Sequence, residues 1–111
     1  MQIRAFTRIK FIEELELKYD GNVIKATTQD LAAGGIKLRT KDCLDLNTEY
    51  DISLPLAGGD DIICKYKPIK MEKVEEDDIY ISAGKLLDVP QKDKMRIIQY
   101  CLRKDIEYNK R

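Results

Sequence analysis

The sequence predicts an all-β domain, an antiparallel barrel or sandwich of six short strands followed by one C-terminal helix. Three observations predict it. Up to Leu87, apolar and polar residues alternate with a period of two over most runs. Turn signals at Asp20-Gly21-Asn22, Gly34-Gly35 and Ala57-Gly58-Gly59-Asp60 cut those runs into strand lengths. From Pro90 onward the period becomes helical. Strands with one apolar face, followed by one amphipathic helix, must cover that face with each other and with the helix.

Each element has its own signal. Phe6 to Lys18 reads as a strand whose alternation slips near Ile12 and Glu13, which predicts a bulge there. Asp20-Gly21-Asn22 is a hairpin turn, and Val23 to Thr28 is the second strand. Gly34-Gly35 breaks the chain before Ile36 to Thr40, where Ile36 and Leu38 oppose Lys37 and Arg39. Tyr50, Ile52 and Leu54 line one face of a fourth strand ended by Pro55. Ile62 to Lys73 is a long strand, and Pro68 inside it predicts an edge position or a kink. Ile79 to Leu87 is the sixth. In the helix, Met95, Ile98, Leu102 and Ile106 form the apolar stripe, with Ile97 and Cys101 beside it. Lys92, Lys94, Arg96, Arg103 and Lys104 cover the other side. Pro90 suits a first turn and Asp93 the positive end of the helix dipole.

Composition narrows the function. The 111 residues fit one domain with a modest core. Lys plus Arg is 20 and Asp plus Glu is 20, so the net charge is zero. A general DNA or RNA binder carries a basic excess, because its affinity comes largely from neutralising phosphate. Any anionic ligand here must meet a local cluster instead. No apolar run is long enough for membrane insertion, and no signal peptide is visible. Cys43, Cys64 and Cys101 are odd in number and widely spaced, and histidine is absent. That pattern predicts reduced thiols, at least two in the core, no metal site, and a cytoplasmic location. No activated nucleophile or base is visible, so no catalytic residue is assigned and the chain reads as a non-enzyme.

Two stretches carry chemistry. Arg4-Ala5-Phe6-Thr7-Arg8 places two guanidiniums on one side of an extended chain, roughly 13 Å apart at the usual rise. A guanidinium fork matches phosphate oxygens and also the O6/N7 edge of guanine. Asp30-Leu31-Ala32-Ala33-Gly34-Gly35 combines a carboxylate with small residues that let a ligand approach the backbone. Its glycines are free to take positive φ, and successive N–H groups there can hold an oxyanion. The Asp30 carboxylate fits the N1–H and N2–H₂ donors of guanine, or caps its own turn.

Together these residues resemble the signature of the PilZ domain family, R-x-x-x-R followed further along by D/N-x-S-x-x-G. Arg4 and Arg8 match the first part. Asp30 and Gly35 match the second, and Ala32 stands where the family usually has serine. Gly84-Lys85-Leu86-Leu87-Asp88 resembles the family's last strand before its helix. The resemblance covers essentially the whole chain. It implies a six-stranded antiparallel β-barrel with a C-terminal α-helix: an arginine arm at 1–8, a barrel at 9–88 and a helix at 90–108. It also implies that the ligand is the second messenger cyclic di-GMP, with no cofactor. Arg4, Arg8, Asp30, Ala32, Gly34 and Gly35 are then the binding residues. Ala32 lacks the serine hydroxyl, and losing one hydrogen bond of about 0.5–1.5 kcal/mol weakens binding without abolishing it. The implied output is motility, biofilm or exopolysaccharide control through a flagellar motor or polysaccharide-synthesis component. The alternative is a PilZ-like adaptor that binds no nucleotide. In the family's two-domain flagellar-brake branch the arginine stretch follows an N-terminal domain. Arg4 lies near position 1, so the chain reads either as such a C-terminal domain or as a naturally single-domain protein.

Overall fold

The structure, a computed structural model, describes residues 8–74 and 76–109. Seven strands precede one helix: β1 (Ile9–Lys10), β2 (Glu14–Tyr19), β3 (Asn22–Ala32), β4 (Gly35–Thr40), β5 (Tyr50–Leu54), β6 (Ile62–Val74), β7 (Ile79–Leu87) and α1 (Gln91–Asn109). All pairings are antiparallel, in the order β1-β3-β2-β5-β6-β7-β4. A further β3–β4 pairing closes six of these strands into a barrel. Closure leaves no long unpaired edge. The short β1 is an extra strand beside the far half of β3.

The first strand of the sequence reading is two strands. Its slip at Ile12 and Glu13 is a full interruption held by Thr28 of β3. The fully buried Thr28 hydroxyl donates to the Phe11 carbonyl at 2.5 Å and accepts from the Glu13 N–H at 2.7 Å. Phe11 N–H also donates to the Gln29 carbonyl, at 3.0 Å. The second strand is longer than expected, running to Ala32 rather than Thr28. At the β2–β3 turn, Asp20 and Gly21 both have positive φ, 50° and 81°. That twist matches the flanking strands. Pro68 is not on an edge: β6 lies between β5 and β7, and a register shift at Pro68/Lys70 absorbs the missing N–H.

Inward residues of every strand form one core, including Leu17, Leu31, Leu38, Leu54, Ile62 and Tyr66. The helix packs on β1 and β3 with a face different from the expected stripe. Ile97 and Cys101 are buried, whereas Met95 is 46% exposed and Ile106 is also exposed. Tyr100 meets Phe11 edge-to-face at 5.8 Å, and Cys101 Sγ donates to the Leu31 carbonyl at 3.5 Å. Arg96, expected among the solvated cations, is half-buried. It pairs with buried Asp93 at 3.1 Å and donates to the Asp60 and Leu56 carbonyls at 2.9 and 3.2 Å. These bonds tie α1 to the β5–β6 hairpin and turn the helix so that two charged residues join the packed face.

Candidate functional site

The chemistry-bearing residues gather where β3 turns into β4, with β1 alongside. A register shift between Thr28 and Asp30 turns the Asp30 side chain to the outer wall while Leu31 points into the core. Lys10 of β1 and Lys37 of β4 are the cross-strand partners of Asp30. Arg8 lies one step before β1, and its Nη1 donates to Asp30 Oδ1. Lys37 Nζ is 4.0 Å from the other carboxylate oxygen. The Arg8 side chain is 49% exposed and that of Asp30 19%. The guanidinium is open to water, whereas the carboxylate is largely covered and lies between two cations, so a ligand reaches Arg8 more readily than Asp30.

Beneath this pair the backbones approach closely. A Cβ on Gly35 would lie 2.9 Å from the Gly84 carbonyl oxygen of β7. Leu86 N–H donates to the Gly34 carbonyl at 3.2 Å, anchoring the turn to β7. One layer deeper, the buried Tyr66 hydroxyl shares a 2.8 Å hydrogen bond with Ser82. Burial pushes the Tyr66 phenol up to about 12, against the downward pull of the Ser82 bond. The tyrosine stays neutral and makes a rigid floor.

Of the residues singled out in the sequence, Arg8, Asp30 and Gly35 come together. Gly34 forms the turn with Ala33, and Ala32 is buried beside it at the end of β3. Arg4 lies outside the described residues. Two expectations about this hairpin need correction. Asp30 is a strand residue rather than a turn cap, because β3 continues past the bulge. Gly34 and Gly35 do not use positive φ, which among the described glycines occurs at Gly21 and Gly58. Gly35 is needed for close strand approach instead. Sequence reasoning missed Lys10 and Gly84 as members of the site, because strand register brings them there. A cleft of about 900 Å³ lies toward the far end of β4 between Glu14, Val23, Lys25, Arg39 and Ile79, and it includes none of Arg8, Asp30, Gly34 or Gly35.

Fold and site define a small closed barrel that presents a guanidinium and a carboxylate side by side beside a glycine-floored hairpin. The PilZ domain family matches residues 2–103, and the chain belongs to that family. Its members are non-enzymatic cyclic di-GMP receptors and adaptors that act through partner proteins. Among solved structures the chain is similar to the Bacillus subtilis inhibitor of motility MotI/DgrA, at 17% identity and a TM-score of 0.75. The likeness covers 96% of this chain and 53% of that one, so the chain spans about half the length of MotI/DgrA. At that identity the likeness is one of fold. No curated protein matches the chain. Among the described residues, no helix is long and apolar enough to cross a membrane.

Proposed function

We propose that this chain is a cyclic di-GMP receptor module that relays the messenger's level to a protein partner. The observation that carries the reading is the Arg8–Asp30 pair on the outer wall, formed by residues that match the R-x-x-x-R and D-x-x-x-x-G pattern of the sequence. A guanine needs a donor fork at O6/N7 and an acceptor at N1–H and N2–H₂, and the two side chains supply one of each. Arg8, with Arg4 of the N-terminal arm, is also suited to the ligand's phosphates. Ligand entry replaces the internal ion pair with contacts of the same chemistry. Gly34 and Gly35 keep the hairpin low beneath it, and Ala32 leaves the serine contact unmade. The output is motility or exopolysaccharide control in the cytoplasm, through a flagellar motor or polysaccharide-synthesis component. The likeness to an inhibitor of motility supports the motility branch.

Calorimetric titration with cyclic di-GMP, beside GMP and cyclic di-AMP, tests the reading. Cyclic di-GMP alone is expected to bind tightly, with affinity falling as salt rises. Arg8→Ala is expected to raise Kd at least tenfold, about 1.4 kcal/mol or more. Equal binding by the variant removes Arg8 from the site. Ala32 favours the second reading, an adaptor without nucleotide, and absence of heat with the unaltered chain would establish it.

A further inference from the structure

The chain has zero net charge, but its barrel wall does not. On β4, β6 and β7 the core side is taken by residues such as Leu38, Tyr66 and Ser82. The alternate, outward positions carry Lys37, Arg39, Lys65, Lys67, Lys70 and Lys85, all exposed or half-buried. The register sets them in rows, Lys37 beside Ala83 beside Lys70, then Gly35 beside Lys85 beside Lys67. Glu72 is the acidic member of this wall, 3.6 Å from Lys70. β2 and β5 turn Glu14, Glu16 and Asp51 outward, with Lys18. β5 pairs directly with β6, and Asp51 is the cross-strand partner of Lys65, so an acidic border flanks the lysine rows on the β5 side. The register shift at Pro68/Lys70 also places Ile69 outside the core, 51% exposed, between the lysines of β6.

An apolar anchor inside a charged rim is the anatomy of a protein–protein contact, in which rim charges steer and the anchor holds. Duplex DNA asks for a helix or ribbon that enters a groove, and single strands ask for stacked aromatics. Among the described residues this strand wall presents neither. Two separate isoleucines on β6, Ile63 and Ile69, six residues apart, give too little contiguous apolar area to hold a lipid surface.

We propose that the β4–β7–β6 wall is the docking surface for an acidic protein partner, with Ile69 as its anchor. The proposal rests on the receptor reading for the need of a partner. Its deciding residues, Lys67, Ile69 and Lys70, lie on β6, apart from Arg8 and Asp30. Lys37 belongs to both surfaces, so a doubly anionic ligand beside Asp30 changes the charge the partner meets. Any resulting coupling is reciprocal.

The test is a ¹⁵N NMR titration of the full chain with a Glu-rich peptide containing leucines, beside duplex DNA and phosphatidylserine vesicles. Peptide-induced shifts are expected at the amides of Lys67, Ile69, Lys70, Ala83 and Lys85, with β2 and β5 unmoved. Lys67→Gln combined with Lys70→Gln is expected to weaken the peptide at least tenfold, while the Kd for cyclic di-GMP changes far less than in Arg8→Ala. Ile69→Ser is expected to weaken it several-fold. Shifts elsewhere, no shifts, or tighter binding of DNA or vesicles to this wall would overturn the proposal. An unaltered chain that takes the peptide on this wall but shows no cyclic di-GMP heat refutes the receptor reading and leaves the docking surface standing.

Discussion

Gly84 has the least room to change. A Cβ there would lie 2.3 Å from the Lys67 carbonyl oxygen, 2.7 Å from the Tyr66 ring and 2.8 Å from Pro68 Cα. Two of those neighbours are backbone, so β6 and β7 would have to part. Gly84→Ala is expected to cost about 1–3 kcal/mol, the usual range for overpacking, read as a lower denaturant midpoint. An unchanged midpoint would mean that the strands yield freely. Ala32 poses the opposite question, since it departs from the family signature. Ala32→Ser is expected to tighten cyclic di-GMP binding by up to about tenfold, the worth of one hydrogen bond. Ala32 is only 6% exposed, so a hydroxyl that missed the ligand would be left unpaired and would lower Tm. Tighter binding at unchanged Tm identifies the ligand as its partner, and an unchanged Kd removes position 32 from the site.

At the scale of elements, the interruption between β1 and β2 decides how β1, and Arg8 just before it, lie against β3. It leaves the Phe11 carbonyl and Glu13 N–H without strand partners, and the Thr28 hydroxyl satisfies both. Thr28→Val keeps the shape and deletes both bonds. The expected loss is about 1–3 kcal/mol by denaturant unfolding. Because β1 leads directly from Arg8, Thr28→Val is also expected to raise the Kd for cyclic di-GMP severalfold. Lost stability with unchanged affinity would show that Arg8 keeps its position without this clamp.

Over the whole molecule, burial sets the chemistry of the thiols. Cys64 and Cys101 are buried and Cys43 is exposed. Burial pushes both buried thiols up from near 9 to about 11, with the Asp93 and Asp88 carboxylates adding to the rise at Cys64. A raised pKa means that the folded state favours the protonated form. The associated stability is complete below pH 9, where the unfolded thiols are also protonated. It is lost as pH rises from 9 through 11, because the unfolded chain ionises first. Tm is expected to hold through neutrality and fall above pH 9. At pH 8 a thiol reagent is expected to modify Cys43 quickly and the other two only after unfolding. Rapid modification of all three in the folded chain would contradict that burial.

What the sequence by itself determined is local. Tyr50–Leu54 and Ile79–Leu87 are found where alternation puts them, because a strand with one buried face writes its period into its own residues. Arg8, Asp30 and Gly35 are legible by type and spacing, because the match to phosphate and guanine is a property of the side chains themselves. Tertiary structure decided which strands lie side by side. Register brought Lys10 and Lys37 to Asp30, set Gly84 under Gly35 and gathered the lysines of β6 and β7 on one wall. It also chose the buried face of α1. Apolar spacing alone favours Met95 to Ile106, but Asp93 pairs with Arg96 and both Arg96 terminal nitrogens bond the β5–β6 hairpin, so the two pack inward with Arg96 Nε left without a partner. A period describes one element's faces, whereas burial depends on the partner that another element presents.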